Sequence, residues 1–462
     1  MNYKRLKSGL IVVSFIAICI ISCNKKLDVK PIESIDAANA ITTAADVESA
    51  LIGCYSIMAG PQLYGTSLLM DGDLLASSSY CSFVGTFNQF RQVSGRTLNR
   101  ENTEIARVWR RAYQTINMAN IVLESSSIVT NPADKSTIEG EALLIRALMH
   151  FELVRFYALP WGATANNDHL GVIIATKAVK NEKDASVSKP RSTVAQVYAA
   201  IISDIDAALN KLPSDNGVRL DRFAAFAIKA RVLMQQGLYN QALSSAHQVI
   251  TSGKYKMNPS VSVVFDNKNS AESIFEIQQN DQNNAGQTND GMATFYASLA
   301  GGIGRGDVRV SSTYLGLYPA GDFRRTEWYY VGVGARPGGN NCSKWKSFSQ
   351  NLPIIRIAEM YLVRAECNAR LGTSVGATPE SDLAQIRNPL RTNLPVISNP
   401  SLSDILQERY LELGFEGARI HDVKRLQISN GSFAWNSNRL VFPIPQREVD
   451  ASGGVIVQNP GY

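Results

Sequence analysis

Apolar residues recur along this chain at the i, i+3, i+4 spacing that lines one face of an α-helix, and this period limits the fold more than any motif does. The longest stripe is Val194, Val197, Tyr198, Ile201, Ile202, Ile205, Ala208 and Leu209. It follows Ser192-Thr193, whose hydroxyls suit an N-cap, and stops before Pro213. Similar stripes run through Val47, Ala50, Leu51, Cys54, Tyr55 and Met58, and through Ile105, Val108, Trp109, Ala112, Ile116, Ala119 and Leu123. Phe223, Phe226, Ala227, Ala230 and Leu233 form another, followed by Ala358, Tyr361, Leu362, Ala365 and Ala369, and then by Leu402, Ile405, Leu406 and Leu413. Asp134 to Leu159 also reads as a helix, with Ala142, Leu148 and Phe151 among its apolar residues.

Several of these helices come as close pairs. The clearest covers Phe223–Gln236, turns at Gly237 and continues over Asn240–Thr251. Gly237-Leu238-Tyr239-Asn240-Gln241-Ala242 has the G-x-Y-x-x-A pattern of a tetratricopeptide hairpin. Glycine permits the tight turn, tyrosine plugs the hairpin and alanine lets the helices approach. Two stretches break the helical pattern. Residues 60–100 are rich in Gly, Ser and aromatics, and residues 252–352 are rich in Gly and Asn. Within the second, Ser273-Ile274-Phe275-Glu276-Ile277 alternates like a short strand. Long irregular excursions on a helical scaffold tend to carry function.

The amino terminus reads as an export signal. Lys4, Arg5 and Lys7 precede an apolar run from Leu10 to Ile21, and Ser22 and Cys23 follow. The run is shorter than the roughly 20 residues a membrane-spanning helix needs. Cleavage before Cys23 would leave a thiol for lipidation. Residues 1–22 are therefore the expected lipoprotein signal, 23–36 a polar tether and 37–462 a single domain with its loop-rich excursions. The chain carries a net charge of +6, and removing the three cations of the signal leaves +3, too little and too evenly spread to suggest nucleic acid. Cys54, Cys81, Cys342 and Cys367 are even in number, which permits disulfides in an exported protein. Cys54 and Cys367 lie on apolar stripes, however, where a free buried thiol is the commoner state. The four histidines are scattered, so neither a metal nor a cofactor is expected.

Read in order, the segments resemble the SusD/RagB family of outer-membrane nutrient-binding lipoproteins of Bacteroidetes. Cys23, Leu27-Asp28 and Pro31 look like its mature amino terminus. Trp109-Arg110-Arg111-Ala112-Tyr113 with Ile116-Asn117 and Asn120 is similar to its first conserved helix. Gly140-Glu141-Ala142, Arg146-Ala147, Tyr157 and Pro160-Trp161-Gly162 resemble the next block. Gly321-Asp322-Phe323-Arg324 follows, then Arg356, Ala358-Glu359, Tyr361-Leu362 and Ala365-Glu366. Glu408-Arg409, Glu412-Leu413, Glu416-Gly417, Arg419 and Asp422 precede the closing Pro443-Ile444-Pro445 and Gln458-Asn459-Pro460-Gly461-Tyr462. The resemblance implies an all-α-dominated fold. About four tetratricopeptide-like helix pairs would form a right-handed superhelix, with a loop-rich variable subdomain containing minor β structure. It also implies a non-enzymatic role at the cell surface: capture of a glycan or oligosaccharide and its delivery to a SusC-like TonB-dependent transporter. Capture of peptides is the alternative within the family.

A second class of function is glycoside hydrolysis. Glu408, Glu412 and Glu416 are spaced i, i+4, so Glu412 and Glu416 could approach as a carboxylate pair. Arg409 and Arg419 are interleaved with them, which favours an ion-pair network fixing the last helix pair. His421-Asp422 lacks a nucleophile-elbow serine, and the Gly301–Gly306 run lacks the Lys-Ser/Thr of a phosphate loop. Sugar rings stack their C–H faces on aromatic planes, so the rings of the irregular regions are the expected binding groups. Tyr80, Phe83 and Phe87 lie in the first excursion, and Tyr296, Trp328, Tyr329, Tyr330 and Trp345 in the second. Asn88, Arg91, Asp71 and Asp73 would supply polar contacts.

Overall fold

The sequence stripes become helices whose ends are set by local chemistry. Helix α1 (Ala44–Ala59) is capped by Thr43, and α2 (Ser67–Leu75) and α3 (Asn88–Gly95) follow. Asn102 caps α4 (Thr103–Ser125), and Asn131 with Pro132 at the first turn starts α5 (Pro132–Tyr157). Thr193 and Gln196 form a capping box at α6 (Val194–Leu209), which fulfils the expected start. Then come α7 (Arg222–Gln235), α8 (Tyr239–Thr251), α9 (Ile357–Leu371), α10 (Pro379–Ile386), α11 (Leu402–Glu412) and α12 (Arg419–Arg425). The structure is a computed structural model that describes residues 41–462 apart from 267, 287, 288 and the side chain of Glu182. The signal at 1–22, the tether at 23–36 and the lipidation residue Cys23 lie outside the described residues.

Residues 42–462 form one compact unit dominated by helices. Each long helix packs on the next: α1 on α4, α4 on α5, α5 on α6, α6 on α7, α7 on α8 and α8 on α9, which also contacts α10 and α11. Small residues make this possible. Ala119, Ala142, Ala147, Ala227, Ala230 and Ala365 are fully buried at the contacts. A Cβ on Gly140 would overlap the Leu212 side chain. Gly237 has φ +70°, the left-handed conformation that the α7–α8 turn requires. Ala242 is buried as the hairpin pattern demands. Tyr239 is only half-buried and lies beneath the Arg370 guanidinium of α9, 4.7 Å from its ring, so it serves the junction with the next pair.

The irregular regions are less irregular than their composition suggests. All nine residues of α2 are buried, so SLLMDGDLL carries no amphipathic stripe and periodicity cannot reveal it. The expected strand is present as β2 (Ser273–Ile277), antiparallel to β6 (Leu352–Arg356). Two further ribbons pair β1 (Cys81–Phe83) with β3 (Val308–Val310), and β4 (Tyr329–Val331) with β5 (Asn340–Cys342). The β1–β3 ribbon joins the two excursions into one loop-rich region. Cys54, Cys81, Cys342 and Cys367 are all free and buried. Burial pushes the Cys54 and Cys367 thiols up to about 12. Among the described residues, no helix is long and apolar enough to cross a membrane.

Candidate functional site

Most of the rings expected to meet a ligand are in the core. Tyr80 is 2% exposed and stacks on Phe415, with centroids 4.5 Å apart and planes 19° from parallel. Tyr296 is fully buried, and its hydroxyl donates to Asp73 Oδ2 at 2.7 Å. Trp345 is fully buried and donates from Nε1 to the Phe415 carbonyl at 2.9 Å. Trp328 donates to the Val261 carbonyl at 2.9 Å and lies under the Lys344 ammonium, 4.1 Å from its ring. Tyr329 is buried against Tyr314, Tyr318 and Phe415. Phe83 packs on Phe90 and Phe295. Asp71 is buried beside Glu104, and Asp73 beneath Tyr80, Tyr296 and the Gly417 amide. The expectation of sugar stacking is therefore corrected for Tyr80, Phe83, Tyr296, Trp328, Tyr329 and Trp345, and that of rim contacts for Asp71 and Asp73. Large rings hide more apolar area than small side chains, and Tyr80, Tyr296, Tyr329 and Trp345 all gather on Phe415 between α11 and α12, so the loops use these rings to dock there.

The acidic residues near the carboxyl end are paired with cations. Glu412 is fully buried and accepts hydrogen bonds from Arg391 (2.7 Å), Arg356 (3.2 Å) and Arg324 (3.2 Å). Burial pushes its carboxyl up, but Arg391, Arg356 and Arg324 outweigh that and hold it below the ordinary range. Glu416 pairs with Arg356 and Lys344, both at 2.7 Å. Arg409 bridges Glu359 and Asp422, while Arg419 lies over the Tyr410 ring. A glycosidase acid needs a raised pKa; Glu412, among its arginines, and Glu416, between Arg356 and Lys344, are both lowered.

Four predicted residues keep solvent access: Phe87 and Tyr330 are half-buried, and Asn88 and Arg91 are exposed. They belong to one loop face, whose centre is a residue the sequence reading did not single out. Asp307 is buried, and its carboxylate accepts from Arg305 Nε at 2.8 Å and Arg336 Nε at 3.1 Å. Its carbonyl accepts from the Val84 amide at 2.7 Å, which ties the first excursion to the second. Arg305 lies over Phe87 and Phe295, 5.0 and 4.9 Å from their centroids. Arg309 donates to Asn341 Oδ1 at 2.9 Å and to the Arg336 carbonyl at 2.6 Å. The Tyr330 hydroxyl accepts from the Ser298 amide at 2.8 Å, and the Ser298 hydroxyl bonds the Arg336 backbone. Arg91, exposed, donates to the Gly85 carbonyl at 2.7 Å, and Gly85 packs against the Asp307 carboxylate. Arg305-Gly306-Asp307-Val308-Arg309 does alternate charged and small or apolar residues, a period-two signal that the neighbouring glycines obscure.

Phe87 and Tyr330 supply partly exposed ring surface, while Asn88 and the guanidinium groups supply donors. Packing and hydrogen bonds fix most of these groups in place, so a ligand would order few side chains on binding. A separate groove of 590 Å³ runs between α4, residues 173–189 and the carboxyl-terminal segment. Its two rings are already committed, since Trp109 is buried and the Tyr113 hydroxyl donates to the Ile173 carbonyl at 3.0 Å.

Residues 27–234 match a family model described as starch-binding associating with outer membrane, and residues 341–440 match the model of the SusD family. Two curated relatives come from Formosa agariphila. SusD-like protein P2 is 24% identical across 94% of this chain and 96% of its own length, and SusD-like protein P25 is 21% identical across 80% and 79%. Among solved structures, a SusD superfamily protein from Bacteroides thetaiotaomicron superposes with a TM-score of 0.81 at 25% identity, covering 90% of this chain and all of that one. Surface glycan-binding protein A from Bacteroides thetaiotaomicron, in complex with laminarihexaose, superposes with a TM-score of 0.73 at 21% identity over 90% of this chain and 100% of its own.

Proposed function

This chain belongs to the SusD/RagB family, and we propose on that basis that it is a surface glycan-binding lipoprotein. It captures oligosaccharide on the Asp307-centred loop face and delivers it to a SusC-like TonB-dependent transporter in the outer membrane. The observation that carries this reading is the loop face itself, with accessible Phe87 and Tyr330 beside Asn88 and a set of anchored arginines, on a fold shared with a protein solved in complex with laminarihexaose. Sugar C–H groups pack on the rings, and hydroxyls bond the amide and guanidinium groups. No step of bond cleavage is assigned to the chain.

Glycan-affinity gels test the capture role. The full-length protein in detergent is expected to be retarded by at least one polysaccharide and to hydrolyse none. Phe87→Ala should weaken that retention severalfold, to about tenfold, because an aromatic contact is worth about 1 kcal/mol. Its melting temperature should change little, since the ring is only half-buried. Wild-type protein that ignores every glycan but binds peptides tightly would replace this reading with peptide capture. The lipid anchor has its own test. Cys23→Ser is expected to move the protein from the membrane fraction to the soluble fraction, and continued membrane retention would remove Cys23 as the anchor.

A further inference from the structure

The charges of the loop face do not balance. Arg91, Arg305, Arg309 and Arg336 gather around one carboxylate, that of Asp307. Among the described residues, the Asp307 carboxylate forms ion pairs with Arg305 and Arg336, each through Nε. Among the described residues, no carboxylate forms an ion pair with Arg91 or Arg309. Arg309 and Arg336 are close enough that the second, after burial, disfavours the charged form of the first. Like charges held this close raise the free energy of the unliganded face, and an arriving anion would relieve it.

The geometry also leaves these groups presentable. Side chains of Arg305 and Arg336 retain 28% and 35% of their surface. Arg309 lies flat on the backbone at Gly339, where a Cβ would overlap its guanidinium. Arg305 is oriented by Phe87 and Phe295, and its Nη1 meets the exposed Asn289 at 3.3 Å. Guanidinium forks held in fixed planes match the paired oxygens of carboxylate and sulfate groups. Neutral sugar hydroxyls need no such charge, and Asn88 and Tyr330 already serve them.

Resting on the glycan-binding reading above, the geometry points to an acidic glycan as the ligand of this face: a chain whose sugar rings carry carboxylate or sulfate groups. Arg309 and Arg336 take the anionic group, Arg305 and Arg91 flank it, and Phe87 receives the adjoining ring face.

The test compares retention of the full-length protein in gels containing polygalacturonate (carboxylate), carrageenan (sulfate), laminarin or xyloglucan (both neutral). An acidic glycan is expected to bind about tenfold more tightly than the neutral ones. The gap should shrink between ~0.05 M and ~0.5 M NaCl. Retention by polygalacturonate alone or carrageenan alone identifies which anionic group is read. R309Q/R336Q should abolish the preference; its melting temperature reports whether it folds, and the salt dependence of the wild type tests the inference without any variant. Neutral glycans binding as tightly as acidic ones would overturn this inference and leave glycan capture standing. A preference that survives R309Q/R336Q in a folded protein would also overturn it. If no glycan of either kind binds, the glycan reading itself falls.

Discussion

Glu412→Gln is expected to destabilise the protein by about 3–5 kcal/mol, because it strips the charge from a carboxylate on which three buried arginines converge. Arg324 comes from the turn after Asp322, Arg356 from the end of β6, Arg391 from the loop after α10, and Glu412 from the end of α11. All four side chains are at most 2% exposed, so water cannot replace the lost partner. Glutamine keeps an oxygen acceptor, yet its amide group would point hydrogens at guanidinium hydrogens. The neighbouring Glu272, Glu408 and Glu416 soften the loss without filling the gap. Calorimetric melting at neutral pH should show the transition several degrees lower. The contrast is Asp206→Asn, which breaks the surface pair with Lys229 on a side chain 48% exposed. That change should cost no more than about 0.5 kcal/mol. Equal melting of E412Q and wild type would mean that the network does not hold these four segments together.

The second large effect is a pH dependence. Asp73 is fully buried, and burial raises its carboxyl to about 7 against the opposing hydrogen bonds from Tyr296, Gly417 and Tyr80. In the unfolded chain the same group titrates near 3.8. Between these values the folded state holds a proton that the unfolded state has released. Its contribution to stability is therefore full below about pH 4, falls as pH rises toward 7, and is flat above. The separation corresponds to on the order of 4 kcal/mol. His150, lowered to about 4 by burial, and His421, lowered well below its ordinary value by burial, act with the opposite sign, since acidification must charge them inside the core. Asp73→Asn removes one slope and leaves both histidines in place. Subtracting the urea-unfolding free energies of the variant from those of the wild type, from pH 4 to pH 8, isolates Asp73. The wild-type advantage should decline from pH 4 to about pH 7 and level off above it. A difference independent of pH would show that Asp73 ionises at its ordinary value despite its burial.

The helices were legible in the sequence, and the reason is local. A stripe such as Val194–Leu209 states its own period, and Thr193 with Gln196 states its own start. The Gly237 turn needs only its own left-handed backbone. The ion pairing of Glu412 was also foreseeable, since arginines recur beside the acidic residues of that helix, although Arg324, Arg356 and Arg391 were not its visible partners. Helix α2 was missed because a segment buried on every side has no polar face to mark a period.

The binding face shows where local reading stops. Phe87, Asn88 and Tyr330 were recognised as rings and polar groups in variable loops, but so were Tyr80, Tyr296, Trp328 and Trp345, which the fold buries. Composition cannot separate them, because an aromatic ring stabilises a core and a sugar complex by the same removal of apolar surface from water. The separation is made by Phe415 and Asp73, which gather Tyr80, Tyr296 and Trp345 from both excursions. The sequence by itself thus determined the helical scaffold, its pairing and the family to which the chain belongs, since those rest on patterns spanning a few turns. Only the tertiary structure decided which rings face solvent and brought Arg91, Arg305, Arg309 and Arg336 around Asp307. That convergence depends on the β1–β3 pairing between distant segments, and contacts so far apart in the chain leave no periodic trace in it.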